Sequence, residues 1–317
     1  MNLKSLDIGR LTLRNNILVS PMAGYTDYAF RALCYKLGAG ACVTEMVSAK
    51  GLIYKNENTE FLLRRDKEEK VSIAQIFGCD PDIMCMACES EALKPFDIID
   101  INMGCPVNKI YSNGEGSRLM EKPDLAEKIV KSCCNSGKTI TVKFRAGIRD
   151  NELIAADFGK RMEQAGAKLI TVHGRTKEGM YSGKVHYDEI AKLKKSVQIP
   201  VIANGGIFTA SDADKMIELT GADGVGLARG VIFDPLLISR ITGMQTDMTV
   251  KDCAFYLMDK RREFMHDKLV AHAMRKTLAG LLKGVRGGKN AKLKIFAAES
   301  TDELKQILNE VFEENII

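Results

Sequence analysis

Eight short β-rich apolar runs limit the possible folds of this chain more sharply than anything else in it. They are Ile17–Ser20, Cys42–Glu45, Ser72–Phe77, Ile98–Ile101, Ile140–Phe144, Leu169–Val172, Val201–Ala203 and Gly224–Leu227. They recur roughly every 25–40 residues, the rhythm of repeated β-α units. Between them lie segments of helical periodicity, such as Tyr28–Leu37, Pro123–Asn135, Ile154–Ala165 and Ala210–Leu219, the last with capping oxygens at Ser211 and Asp212. Short continuous apolar runs are the form of strands buried on both faces. Eight β-α units therefore predict an α/β fold, a (β/α)8 TIM barrel. After Pro235 the strand signals stop. Val250–Arg262, His266–Lys283 and Thr301–Phe312 read as helices, and the Gly-rich Gly284–Asn290 breaks the middle of the run. A barrel over 1–241 and a smaller all-helical C-terminal domain over 246–317 are expected, joined near Thr242–Thr249.

Composition narrows the class. The 317 residues are 45% apolar and 27% charged, ordinary for a globular protein. No apolar run approaches the ~20 residues of a membrane helix, and MNLKSLDIGRLTL at the N-terminus lacks the features of a signal peptide. A cytoplasmic protein is expected. Its nine cysteines are expected to be reduced. Cys85-x-x-Cys88 and the adjacent Cys133 and Cys134 lack a matching ligand set, since His266 and His272 lie off one helical face, so no metal site is expected. The net charge of +5 is unevenly spread: Lys260–Lys294 holds eleven Lys/Arg against Glu263 and Asp267. Such a block predicts a polyanion partner, although a solvated helix face has the same composition.

Polar and reactive residues cluster where the strand candidates end, which is where α/β barrels carry their sites. Asp97–Ile101 runs into a loop with Asn102, Gly104, Cys105 and Pro106. Gln75 and Gly78 are read at the end of the third run, Lys143 and Arg145 close the fifth, and His173-Gly174-Arg175 follow the sixth. Asn204-Gly205-Gly206 end the seventh, and Ala228-Arg229-Gly230 follow the eighth. Glycines and Arg229 at that corner predict a phosphate site with its ring lying towards Gln75, Lys143 and His173. Each residue taken alone also has a plain structural reading: Cys105 as a buried inert thiol, Gln75 as a partner for backbone, Lys143 in an ion pair, His173 in the core.

The motifs SPMAGYTDYAFR (Ser20–Arg31), AQIFG (Ala74–Gly78), DINMGCPVNKI (Asp100–Ile110), NGEGSRLM (Asn113–Met120), VKFRAG (Val142–Gly147), HGRT (His173–Thr176), MYSG (Met180–Gly183) and IANGGI (Ile202–Ile207) resemble those of the tRNA-dihydrouridine synthases, the bacterial B-type most of all. The resemblance implies a barrel that holds FMN, takes electrons from NAD(P)H, NADPH by expectation, and reduces the C5=C6 bond of specific uridines in tRNA. It places Pro21, Met22, Ala23, Gln75, Lys143, His173, Asn204, Gly205, Gly206, Ala228 and Arg229 at the FMN. Cys105 would be the proton donor, Asn102 and Arg145 would lie near the uracil, and Arg275 and Lys276 would contact the RNA. The basic C-terminal helices would grip tRNA. No protein partner is implied, and a monomer is expected. The chain departs from the family pattern at Ala228, where Gly is usual, and at Leu236, where a Trp is frequent. Other readings stay open on the sequence alone: modification of ribosomal RNA, a small-molecule pyrimidine oxidoreductase resembling dihydroorotate dehydrogenase, or a non-catalytic RNA-binding protein. The sequence has no G-x-G-x-x-G after a strand, so no dedicated nicotinamide module is expected.

Overall fold

The computed structural model describes residues 2–54 and 57–313. Eight strands form the barrel: β1 (Ile17–Val19), β2 (Ala41–Ser48), β3 (Ser72–Phe77), β4 (Ile98–Asn102), β5 (Thr139–Arg149), β6 (Ile170–Thr176), β7 (Val201–Asn204) and β8 (Gly224–Leu227). Every neighbouring pair is parallel, and the β4–β5 and β8–β1 pairings close the sheet on itself. This is the (β/α)8 barrel that the spacing of the runs predicts.

Two strands outrun their apolar signal. β5 continues past Phe144 to Arg149, where a short antiparallel strand, Glu152–Leu153, folds back on it. β6 continues through His173 to Thr176, so HGRT lies within the strand and does not follow it. In both cases the ladder hydrogen bonds persist while the inward side chains turn polar. The helix Ala210–Thr220 is capped by Thr209, with Asp212 reciprocating, and not by Ser211.

Strand alternation then sorts side chains by depth. Leu18, Val43, Ile73, Ile98, Leu169 and Ile202 meet Leu6, Ile8 and Leu13 of an N-terminal hairpin in one apolar cluster. That hairpin was not legible as strand, because its runs are three residues each. It seals the bottom of the barrel. Two residues further along the strands come Gln75, Asp100 and Thr141, adjacent in register, and beyond them Asn102, Lys143, His173 and Asn204. The barrel is therefore dry and apolar below, polar above, and open only at its C-terminal face.

Past Gly243 come Val250–Arg262, Asp267–Leu281, Gly288–Ala297 and Thr301–Glu313. The third of these is hidden in the sequence because Gly287 and Gly288 open it, Gly287 with φ +75°, and lysines crowd it. The helices share their apolar core with the barrel. Polar contacts fix the junction as well. Tyr28 donates its hydroxyl to the Lys260 carbonyl at 2.9 Å, Phe264 packs edge-on to the Tyr28 ring, and Arg261 pairs with Asp27 at 2.7 Å. Asp27 also caps the helix Tyr28–Lys36. Arg31 in that helix forms a fully buried bidentate pair with Glu69, and Lys260 reaches Asp66 in the same loop.

Candidate active site

A cavity of about 480 Å3 opens at the C-terminal face of the barrel. Its floor comes from inward positions of β3 to β8 and its rim from the loops that follow them. Pro21, Met22 and Ala23 line it from the loop after β1, with Ser20 beneath them. Gln75, Asn102, Lys143, His173 and Asn204 form the polar layer, and Gly205, Gly206, Ala228 and Arg229 complete the corner between β7 and β8. Cys105 lines it from the loop after β4 and Arg145 from β5, and Lys276 reaches over the rim from the C-terminal helices. Fifteen of the sixteen residues singled out in the sequence thus share one cavity wall.

Arg275 is the exception. Its guanidinium donates to the Ala298 carbonyl at 2.9 Å and to Glu299 at 3.2 Å, turned away from the cavity. Adjacent helical residues point about 100° apart, so Lys276 can overhang the mouth, 4.5 Å from the Tyr25 ring centroid, only if Arg275 does not. Asn102 also differs in detail from the expectation. Its Oδ1 accepts from Gly104 N at 3.1 Å and Cys105 N at 2.9 Å, and its Nδ2 donates to Gln75 at 2.8 Å. The amide organises the Cys105 loop, and its acceptor is already in use. Cys85, Cys88, Cys133 and Cys134 lie outside this wall, on the helices Pro81–Glu89 and Pro123–Cys134.

The Cys105 loop is held from a second side. Ser117 N donates to the Cys105 carbonyl at 3.0 Å, and a Cβ on Gly116 would sit 2.8 Å from that same oxygen. Only glycine, here at φ +58°, lets the NGEGSRLM segment approach so closely. Arg145 donates to Gly104 O, Thr176 O and Met180 O at 2.7–3.0 Å, so its fork is fixed by backbone. Tyr181, which the sequence reading passed over, lies against Arg145 and Arg229 with ring distances of 5.6 and 5.8 Å. The signal that would have found it is an aromatic in the MYSG motif, one residue after the only non-glycine with positive φ among the described residues, Met180.

Charge in the cavity is one-sided. Burial, aided by Arg145, lowers Lys143 to about 8 against the opposing pull of Asp100. Burial also lowers Arg145 to about 10. His173 is held well below its usual value by burial and then by Lys143, Arg145, Arg175 and Arg229, so its ring is neutral. Burial pushes the Cys105 thiol up, against a backbone hydrogen bond at Val107 and the charge of Arg145, which keeps it protonated at neutral pH.

This wall suits a flavin mononucleotide. A surplus of buried cations over the carboxylate beneath them, Asp100, favours an anion. Ser20 Oγ is buried with no hydrogen-bond partner among the described residues, and a Cβ on Gly226 would come within 2.8 Å of it. A Cβ on Gly205, at φ +122°, would strike the His173 ring at 2.9 Å. Backbone is thus exposed at the β7–β8 corner as close approach to a ligand requires. Ala228 has φ −139°, outside the left-handed region that would demand glycine.

Comparisons with known proteins agree with the fold and the motifs. The family model described as dihydrouridine synthase matches residues 17–317. A relative from Synechocystis sp., named probable tRNA-dihydrouridine synthase 1, is 37% identical over 97% of this chain and 89% of its own length. The tRNA-dihydrouridine synthase B of Pasteurella multocida is 37% identical over 73% of this chain and 70% of its own. Among solved structures, an old yellow enzyme homologue from Zymomonas mobilis aligns with a TM-score of 0.53 at 12% identity, covering 76% of this chain and 92% of that one. The 6-hydroxypseudooxynicotine amine oxidase of Pseudomonas geniculata aligns at 0.59 and 16%, covering 76% and 49%. These two likenesses speak to the barrel alone.

Proposed function

This chain belongs to the dihydrouridine synthase family, and from that premise we propose that it reduces the C5=C6 bond of uridines in tRNA with FMN as cofactor and Cys105 as the proton donor. The observation that carries the reading is a half-buried thiol and a surplus of buried cations in one cavity, under a lysine that overhangs its mouth. When bound, FMN supplies the hydride. Lys143, His173, Asn204, Gly205, Gly206, Ala228 and Arg229 would hold it, with Pro21, Met22, Ala23 and Gln75 on the opposite side. Cys105 delivers its proton to C5, and Arg145 beside it stabilises the thiolate left behind until solvent reprotonates it. Asn102 fixes the backbone of the Cys105 loop and so sets where the thiol points. A uridine must leave its stack to reach this depth, which costs a few kcal/mol. Phosphate contacts from Lys276 and neighbouring helices offset that. NADPH serves as the electron source, entering at the same mouth, and the chain acts as a monomer.

The deciding experiment is spectroscopic. The purified protein should carry a flavin absorbance that bleaches under anaerobic NADPH and returns on addition of unmodified tRNA. Recovery with ribosomal RNA or a free pyrimidine in place of tRNA would redirect the substrate. Absence of flavin would remove the catalytic reading altogether.

A further inference from the structure

The cavity rests on a carboxylate that does not line it. Asp100 is 3% exposed, on the inward face of β4, one step below Asn102. Gln75 on β3 and Thr141 on β5 stand opposite it in register. An interior layer of a barrel is ordinarily filled by branched apolar residues, so three polar side chains in adjacent strands require a reason.

Hydrogen-bond direction supplies one. A carboxylate only accepts. One Asp100 oxygen takes the Thr141 hydroxyl at 2.7 Å, and the other takes Gln75 Nε2 at 2.7 Å. With its nitrogen committed, Gln75 presents Oε1 upwards, where it accepts Asn102 Nδ2 at 2.8 Å. Asn102 must then present Oδ1 to the loop, where Gly104 N and Cys105 N donate to it. Backbone N–H groups only donate. The two ends of the chain of bonds therefore demand the same orientation of both amides. We propose that Asp100 is a positioning residue whose acceptor oxygen facing Gln75 fixes the direction of this relay and so holds the Cys105 loop in place. Gln75 is 1% exposed and Asn102 8%, so water does not compete for the bonds in between. The inference rests on the family reading for the purpose of the loop, but not for the relay itself.

Asp100→Leu tests it. The apolar side chain leaves Gln75 Nε2 without its acceptor, so nothing beneath the two amides fixes which way they point. In the flavin-loaded full chain, hydrogen exchange at Gly104 and Cys105 should quicken by about tenfold or more, the scale of one lost buried hydrogen bond or more. Uridine reduction should fall in kcat with the KM for tRNA unchanged. Asp100→Asn removes the charge but keeps the acceptor, because its Oδ1 can take Gln75 Nε2 while its Nδ2 donates to the Thr141 hydroxyl, and it should exchange at the wild-type rate.

Unchanged exchange in Asp100→Leu would overturn the proposal. So would an increase spread over the whole barrel, or an equal change in Asp100→Asn, which would make Asp100 only a counterion. If Asp100→Leu fails to fold, Asp100→Ala is read in its place: fast exchange confined to the loop supports the relay, and exchange at the wild-type rate sinks it. Full turnover by Cys105→Ala, by contrast, would remove the cysteine from the reaction while leaving the exchange result intact, so the two failures read differently.

Discussion

Two groups of cations give this chain its positive charge, and they are used in opposite ways. In the C-terminal helices Lys260 pairs with Asp66 and Glu263, Arg261 with Asp27, Arg262 with Asp267, Lys268 and Arg275 with Glu299, and Lys294 with Glu310. At least six of the eleven cations in the Lys260–Lys294 block are thus paired with acids, several from outside it. In the cavity Lys143, Arg145, Arg175 and Arg229 are partly or wholly buried, and none of the acids that pair cations elsewhere reaches them; Asp100 lies beneath. A surplus counted along the sequence locates charge but does not say whether it is already neutralised. Uncompensated charge inside the barrel marks a ligand site, whereas much of the basic block is structural.

The largest break in that comparison comes from the reacting group. Cys105→Ala should lower uridine reduction by about 10²–10⁴-fold, the usual contribution of a placed proton donor, while flavin content and NADPH oxidation stay near wild type. Single-turnover reoxidation by tRNA measures it, and rapid reoxidation by the variant would exclude the thiol.

Next is the paired side. Asp27→Asn keeps the helix cap but leaves Arg261, 2% exposed, without its counterion. Removing one partner of a buried pair costs about 3–5 kcal/mol, readable as a lower urea midpoint. A change no larger than that of an exposed pair, such as Arg149–Glu178, would mean that burial does not distinguish the two groups.

The unpaired side has a pH signature. Lys143 titrates at about 8 in the flavin-free fold against an ordinary 10.5. Between these values the unfolded chain binds more protons, so stability should rise with pH across that window. The penalty is complete below 8 and gone above 10.5. Lys143→Met should flatten the rise, and so should saturating FMN, whose anionic groups would lift the lysine back. Thermal unfolding scans at stepped pH measure the slope, and a slope identical in wild type and variant would show that Lys143 is not strained.

The smallest effect divides the basic block itself. Lys276→Gln with Lys283→Gln should make tRNA binding less salt-dependent, by roughly 0.7–0.9 in the log–log slope for each phosphate that is no longer neutralised. Arg262→Gln with Arg275→Gln should leave the slope alone, since both arginines are engaged within the protein. Equal changes in the two pairs would mean that the ion pairs open on binding.

The sequence makes the barrel legible because its strands are buried on both faces, and continuous apolar runs of that length suit little else. The cavity residues are legible for a related reason: inward positions alternate, so polar side chains at Asn102, Lys143, Arg145, His173 and Asn204 interrupt that apolar pattern at a regular depth. What was not legible depended on contacts distant in sequence. The pairing of Arg275 with Glu299 needs the loop between two neighbouring helices, and the engagement of the Asn102 acceptor needs a loop that doubles back. The helix Gly288–Ala297 forms despite its glycines because Ala291 and Ile295 are buried against neighbouring helices.

The joint at Asp27 and Tyr28 has a consequence for anyone rebuilding this molecule. The loop from Pro21 to Thr26 lines the cavity at one end and runs directly into the helix that anchors Lys260 and Arg261 at the other. The helical unit is therefore not a detachable cap. A graft that exchanges it to retarget the barrel must bring Asp27 and Tyr28 with their partners, or it will slacken the cavity wall along with the handle.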